Sequence, residues 1–202
     1  MIDAIIFDFG DIFINLEKEA QIEAFKKLGL DGPKDDLIAQ NDLFEKGKIS
    51  EQEFLESFHN YIPNASVLEI RDAWNSIIGE FPLERLEFLQ MLSGKYRMFL
   101  LTNTDEIHIS KFEHKVGMSF YTDFYNCFEK VFYSYEMGMR KPEPEIFNHI
   151  LNKYDLSPKR TLFIDDKKVN TDAAEALGLY VWNLQVGQED VTELFQHKEF
   201  PL

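Results

Sequence analysis

The sequence predicts an α/β protein: a doubly wound, parallel-sheet core of Rossmann-like type with a helical subdomain inserted after its first strand. Three observations carry this: five short apolar runs, helical patterns alternating with them, and one connection far too long for a simple crossover. The runs are DAIIFD (residues 3–8), RMFLLT (97–102), KVFYS (130–134), TLFID (161–165) and LYVW (179–182). Each is mostly β-branched or aromatic. Near-continuous rather than alternating hydrophobicity suits strands covered on both faces, as in a parallel sheet.

Between the runs the pattern is helical. Ala20, Ala24, Phe25 and Leu28 share one face of a helix that Gly29 can end. Ser50 and Glu53 have the spacing of a capping box, opening a segment through Phe54 and Phe58. Pro144 suits the first turn of a helix reaching Ile150, and Gly178 follows a helix holding Ala173, Ala174 and Leu177. Tyr121, Phe124, Tyr125 and Phe128 recur at helical spacing, as expected of core packing or of an aromatic rim. Strand–helix–strand repeats indicate an open doubly wound sheet. The first connection is the exception. A βαβ crossover needs a dozen or so residues, and about 85 separate the first strand from the second. Residues 16–85 are therefore expected to form a helical cap over the strand ends, hinged near Asn15 and Pro82, on a core of residues 1–15 and 86–202.

Composition limits the partners. Of 202 residues 45% are hydrophobic and 19 are Phe, so a phenylalanine-rich core is expected. With 36 acidic against 21 basic side chains the net charge is −15, a field that repels nucleic-acid phosphates and anionic membrane surfaces, and neither is expected as a partner. Oligomeric state leaves no mark on the sequence. No stretch approaches the ~18 uninterrupted apolar residues of a membrane span. Asp3 and Asp8 inside the first apolar stretch, with no basic leader, do not match a signal peptide. Cys127 is the single cysteine, which excludes an internal disulfide and a cysteine metal site; a buried, inert thiol and a cytoplasmic location are expected. His59, His108, His114, His149 and His197 have no ligand spacing with Asp or Cys partners and read as surface or core residues. Glu189, Asp190 and Glu193 read as a solvated helix face.

In an open parallel sheet, ligands bind outside the carboxyl ends of the strands. The residues just past the five runs there are Asp8 and Asp11, Thr102 and Asn103, Lys141, and Asp165 with Asp166. Several carboxylates in one cleft need a cation, and hard oxygen ligands with open positions suit Mg²⁺, whose remaining ligands are water and substrate phosphate. A lysine held ionised among carboxylates can grip a phosphoryl oxygen. Phosphoryl transfer fits these parts.

These stretches, IIFDFGDIF, FLLTNTD, GMRKPEPEIF and TLFIDDKKVNTDAAEALG, come in the order of the four motifs of the haloacid dehalogenase (HAD) superfamily of aspartate-nucleophile hydrolases. The chain resembles that superfamily from residue 3 to about 182, and within it the glucose-1-phosphate phosphatase group with a small helical cap. The resemblance implies a Mg²⁺-dependent phosphohydrolase acting on a small phosphorylated metabolite, a sugar phosphate being the size such a cap can enclose. It makes Asp8 the nucleophile that becomes an aspartyl phosphate, its other oxygen on the metal. Thr102 and Asn103 would bind phosphoryl oxygens through the hydroxyl and neighbouring backbone. Lys141 would offset charge on Asp8 and the phosphate. Asp166 and the carbonyl of Gly10 would complete the protein's share of the metal shell, Asp165 would orient Lys141 or a metal-bound water, and Asn170 would act in the outer shell.

The departure from the pattern is Gly10. Most phosphatases of this superfamily have there an aspartate that protonates the leaving oxygen. Its carbonyl is retained and its acid is not. The glucose-1-phosphate phosphatase group also has Gly there, so the loss does not imply a dead enzyme, although it argues against a phosphoglucomutase. Asp11 is a candidate substitute acid of unknown orientation. A catalytically impaired binding or regulatory protein is the alternative reading from Gly10. A 2-haloacid dehalogenase, which shares fold and nucleophile, is disfavoured by Asp165 and Asp166 together.

Overall fold

A computed structural model describes residues 1–202. In chain order the elements are β1 (Ala4–Phe7), α1 (Lys18–Lys27), α2 (Asp35–Phe44), α3 (Glu51–Ser57), α4 (Val67–Asn75), α5 (Leu83–Ser93), β2 (Arg97–Thr102), α6 (Glu106–Val116), α7 (Met118–Tyr125), β3 (Lys130–Tyr133), α8 (Ser134–Met137), α9 (Pro144–Lys153), β4 (Thr161–Asp165), α10 (Lys168–Ala176) and β5 (Tyr180–Asn183). The strands form one sheet in the order β3-β2-β1-β4-β5, with every pairing parallel. All five expected strands are present, within a residue or so of their expected ends.

The apolar runs are continuous because both sheet faces are buried. Ile5, Phe7, Met98, Leu100, Leu162 and Ile164 point to one face, against Leu86, Leu89 and Leu92 of α5, Phe112 of α6 and Phe124 of α7. Ala4, Ile6, Phe99, Leu101, Phe132 and Phe163 point to the other, against Ile146, Phe147 and Ile150 of α9 and Ala174 of α10. Phe124 and Phe128, drawn from the aromatic stripe, fill the first of these layers, so core packing is that stripe's role. Each fully buried Phe contributes about 1.5–3 kcal/mol relative to exposure. Helix ends follow their local chemistry. Gly29 (φ 100°) and Gly178 (φ 89°) take left-handed conformations past α1 and α10, where a side chain would be strained. There Leu30 N–H donates to the Phe25 carbonyl and Leu179 N–H to that of Ala174, closing both helices. The Ser50–Glu53 capping box opens α3 as expected, and a second, Ser66–Glu69, opens α4.

Helices α1 to α4 pack around a separate cluster of Phe25, Leu37, Phe44, Phe54, Leu55, Phe58, Ile62, Ile70 and Ala73, to which α6 adds Ile107. The two chain segments leading into and out of this helical group pair with each other. Asn15 N–H donates to the Glu80 carbonyl at 2.8 Å, Glu17 N–H to Ile77 at 2.8 Å and Gly79 N–H to Asn15 at 3.0 Å. Arg85 fastens the same place to the core through the Phe13 carbonyl, the Asn15 side chain and Asp190. Asp190 is thus an ion-pair partner and helix cap rather than part of a solvated face. Helix α5 packs wholly on the sheet, and the expected division at residues 85 and 86 falls inside it. No helix is long and apolar enough to cross a membrane.

Candidate active site

The strand order changes direction at β1: β2 and β3 lie to one side of it, β4 and β5 to the other. At this switch point the end of β1 abuts the end of β4, with Phe7 paired to Ile164, so the next residues, Asp8 and Asp165, stand side by side. Asp8 N–H still donates to the Ile164 carbonyl at 2.9 Å, which fixes the base of its side chain. One carboxylate oxygen from each of Asp8, Asp165 and Asp166 lies within 4.8 Å of the others.

Lys141 arrives from the loop after α8 and is 1% exposed. Its ammonium donates to Asp8 at 2.8 Å and to Asp165 at 2.6 Å. Burial opposes its charge, but the carboxylates of Asp165 and Asp8 outweigh that and hold its pKa above the ordinary lysine value. The Asn103 amide brackets the Lys141 backbone, donating to its carbonyl at 2.8 Å and accepting from its N–H at 2.9 Å. The Asn103 side chain is therefore spent on placing Lys141. Asp165 is fully buried and saturated: besides Lys141 it accepts from Lys167 N–H at 2.7 Å and from the Asn170 amide at 3.0 and 3.1 Å. It fits the orienting role and has no oxygen to spare for an ion.

Asp8 and Asp166 are the carboxylates left with reach. Burial, reinforced by Asp165 and opposed by Lys141, pushes the Asp8 pKa up to about 6. Burial and then Asp165 also raise that of Asp166, whose carboxylate lines the cavity without a hydrogen-bonding partner. Three carboxylates against the ammoniums of Lys141 and Lys167 leave an excess of negative charge at the cavity floor. Two free oxygens, with the Gly10 backbone beside them, fit a hard divalent cation.

Asp11 has a different task from the one its sequence position suggested. It sits in the left-handed region (φ 58°), which Asp tolerates better than most residues. Its carboxylate accepts from Leu16 N–H at 3.0 Å and pairs with Lys18 at 2.6 Å, and it is not among the residues lining the cavity. Gly10 lines it and has ordinary φ; a Cβ there would meet only the end of the Leu16 side chain, at 2.9 Å.

Together these groups floor a cavity of about 260 Å³. Asp8, Gly10, Thr102, Asn103, Lys141 and Asp166 lie on the sheet side. Gln21, Asn41, Glu45 and Trp74 come from the inserted helices, and His108 from α6. Thr102 is 3% exposed at the end of β2. The strand-end residues singled out from the sequence thus meet in one place, Asp165 beneath the floor and Asp11 alone turned away. The upper wall has no such sequence signal. His108, which by its spacing reads as a surface or core residue, lines the cavity, stacked on Trp74 with ring centroids 4.9 Å apart. Trp74 lies 34 residues away in the chain, so no local spacing announces the pair.

Among curated proteins, the chain is 29% identical over 200 residues to the D-ribitol-5-phosphate phosphatase of Bacteroides thetaiotaomicron, covering 96% of this chain and 97% of that one. A HAD family enzyme of the same organism, solved with magnesium, superposes with a TM-score of 0.87 at 36% identity, over 96% of this chain and 98% of that one. The wild-type form of that enzyme, in complex with magnesium and inorganic phosphate, gives a TM-score of 0.81 at 35% identity, over 96% and 100% of the two chains. The haloacid dehalogenase-like hydrolase family matches residues 2–178, a span that contains the whole carboxylate–lysine cluster and the strands that carry it, and the chain belongs to that family.

Proposed function

We propose that this protein is a Mg²⁺-dependent phosphohydrolase that removes phosphate from a small phosphorylated sugar or sugar alcohol by way of an aspartyl phosphate on Asp8. One observation carries the reading: Asp8 stands at the floor of a cavity walled by the inserted helices, 2.8 Å from a buried lysine and grouped with two further carboxylates. Asp8, Asp166 and the Gly10 carbonyl would hold the ion. When bound, the ion supplies positive charge that draws the phosphoryl group to Asp8 and neutralises its oxygens.

The chain's own residues supply the rest. A carboxylate oxygen of Asp8 attacks phosphorus, the phosphorus–oxygen bond to the alcohol breaks, and the alcohol oxygen takes a proton. Water then cleaves the acyl phosphate, releasing inorganic phosphate and restoring Asp8. Lys141, fixed by Asp165 and by the Asn103 bracket, offsets charge on Asp8 and the phosphoryl oxygens, and Thr102 offers a neutral donor. With Asp11 bound to Lys18 and to Leu16 N–H, the leaving-oxygen proton comes from water. Helices α1 to α4 act as the cap. They contribute the neutral amides of Gln21 and Asn41 to the wall beside Trp74 and Glu45, and the Asn41 Oδ1 is buried without a hydrogen-bonding partner, an acceptor matched to a substrate hydroxyl. The D-ribitol-5-phosphate phosphatase similarity supports the same substrate class.

The test is a phosphatase screen over sugar and sugar-alcohol phosphates with and without Mg²⁺. Metal-dependent release of phosphate is expected, and Asp8→Asn should abolish it with the fold intact, the change being nearly isosteric. Turnover by Asp8→Asn within tenfold of the unmodified enzyme, or a rate that survives chelation, overturns the reading.

A further inference from the structure

His108 sits between two acceptors. Its Nδ1 lies 3.1 Å from an Asp105 carboxylate oxygen and its Nε2 3.0 Å from the Trp74 backbone carbonyl. A neutral imidazole has one N–H and one lone pair, so whichever tautomer forms, one nitrogen turns its lone pair on an acceptor. Asp105 does not relieve this by carrying a proton: burial favours the acid, but the imidazole, the His108 backbone N–H at 2.9 Å and the Trp74 indole N–H at 3.1 Å outweigh burial and hold Asp105 ionised. Only the imidazolium satisfies both sides. The Trp74 carbonyl also accepts from Gln21 at 2.8 Å, and the Trp74 ring lies flat on the imidazole, 10° from parallel. Four contacts thus converge on the end of α4 where it walls the cavity.

We propose that His108 is a positioning residue, held as an imidazolium by Asp105, that fastens Trp74 and the adjoining end of α1 against α6 and so shapes the part of the cavity that receives the non-phosphate end of the substrate. It is not a proton donor replacing the acid absent at Gly10, because both ring nitrogens are committed to the protein. Its charge has local support. Burial disfavours it, but Asp105, the Trp74 carbonyl and, from α2, Glu45 outweigh burial and raise its pKa, while His108 and the indole hold that of Asp105 down. The other charged groups of the same cavity are Asp8, Asp166, Lys141 and Lys167 on the sheet side; Lys141 is neutralised by Asp8 and Asp165. A raised histidine pKa means that the fastening is complete below the ordinary imidazole value and is lost as pH rises through the His108 pKa.

The first test needs no substrate and so stands apart from the phosphatase reading: a ¹H–¹³C NMR titration of the histidine rings, His108 being identified by its contact with the Trp74 indole. It should titrate above the ordinary imidazole value of about 6.5, and Asp105→Asn should lower its pKa by about one unit or more. Titration at or below the ordinary value in the unmodified protein overturns the proposal. The second test rests on the phosphatase reading and uses D-ribitol 5-phosphate as probe. His108→Gln should raise KM about tenfold with a much smaller change in kcat. Inhibition by inorganic phosphate, which does not reach the upper wall, should be unchanged. The unmodified enzyme should show the same rise in KM as pH passes the His108 pKa, and His108→Arg, a permanent cation, should remove that pH dependence. A fall in kcat with KM unchanged would make His108 catalytic and refute the positioning role, and an unchanged KM in His108→Gln would refute it equally.

Discussion

Gly10 replaces an acid with a hydrogen, and the consequence for catalysis depends on Asp11. Because Asp11 faces Lys18 and Leu16 N–H rather than the cavity, the proposed mechanism has the departing oxygen leave with more of its negative charge uncompensated by a proton. Rates for a series of aryl phosphates should therefore fall steeply as the leaving-group pKa rises. Gly10→Asp should flatten that slope. The position has ordinary φ and the new side chain displaces only the flexible end of Leu16, so the strand-end turn can accept it. Asp11→Asn should leave the slope as it is, since Asn also tolerates the left-handed conformation and the residue's work is in the loop. A flat plot for the unmodified enzyme that steepens in Asp11→Asn would make Asp11 the acid. Lys141 is the other single residue with a decisive test. Lys141→Met keeps length and removes charge, and should lower kcat by about 10² or more, as loss of a preorganised charge partner does. Asp165 and Asn103 make the lysine's position rigid enough for that loss to be specific.

At the scale of elements, the inserted helices are held to the core at two places. Where the chain enters and leaves them, the segments around Asn15 and Gly79 pair through their backbones, with Lys115 bonded to the Ile78 and Gly79 carbonyls. Farther along, Arg140 beside Lys141 pairs with Asp42 and Glu45 of the inserted segment, and Lys46 pairs with Glu143. A Cβ at residue 79 would stand 2.5 Å from the Asn15 carbonyl oxygen, a backbone atom that cannot swing aside. Gly79→Ala should therefore open the hinge pairing, lowering stability by about 1–3 kcal/mol as overpacked sites do and raising KM more than it lowers kcat. Denaturant unfolding and steady-state kinetics measure the two effects, and an unchanged midpoint would show that the hinge yields freely.

For the whole molecule, charge is the dominant fact. A net charge of −15 adds self-repulsion to a chain whose site already concentrates three buried or half-buried carboxylates. A divalent cation bound there relieves local repulsion in the folded state alone, so it should stabilise by about 2.7 kcal/mol at a hundredfold excess over its Kd. Thermal unfolding with and without Mg²⁺ measures this. The upward shift should vanish in Asp166→Ala, which keeps Asp8 and Lys141 but removes the free carboxylate. Persistence of the shift would place the ion elsewhere.

The strands were legible in the sequence because burial on both faces makes hydrophobicity continuous, and that is a local property. The residues at their ends were legible for a related reason: in a parallel sheet all strands finish on the same side, so Asp8, Thr102 and Asp165 had to share an edge. Helix ends marked by Gly29, Ser50 and Pro144 were equally local. What the sequence did not determine was orientation and long-range pairing. It could not give the direction of Asp11, set by a left-handed backbone and by Lys18. Nor could it show the commitment of the Asn103 amide to the Lys141 backbone, or the meeting of His108 with Trp74 across the insertion. Such contacts are properties of a packed whole, because side-chain direction in a turn and contact between distant helices are decided only when the layers close. The chemistry at the strand ends comes from the chain's order, and the wall that faces it exists only in the fold.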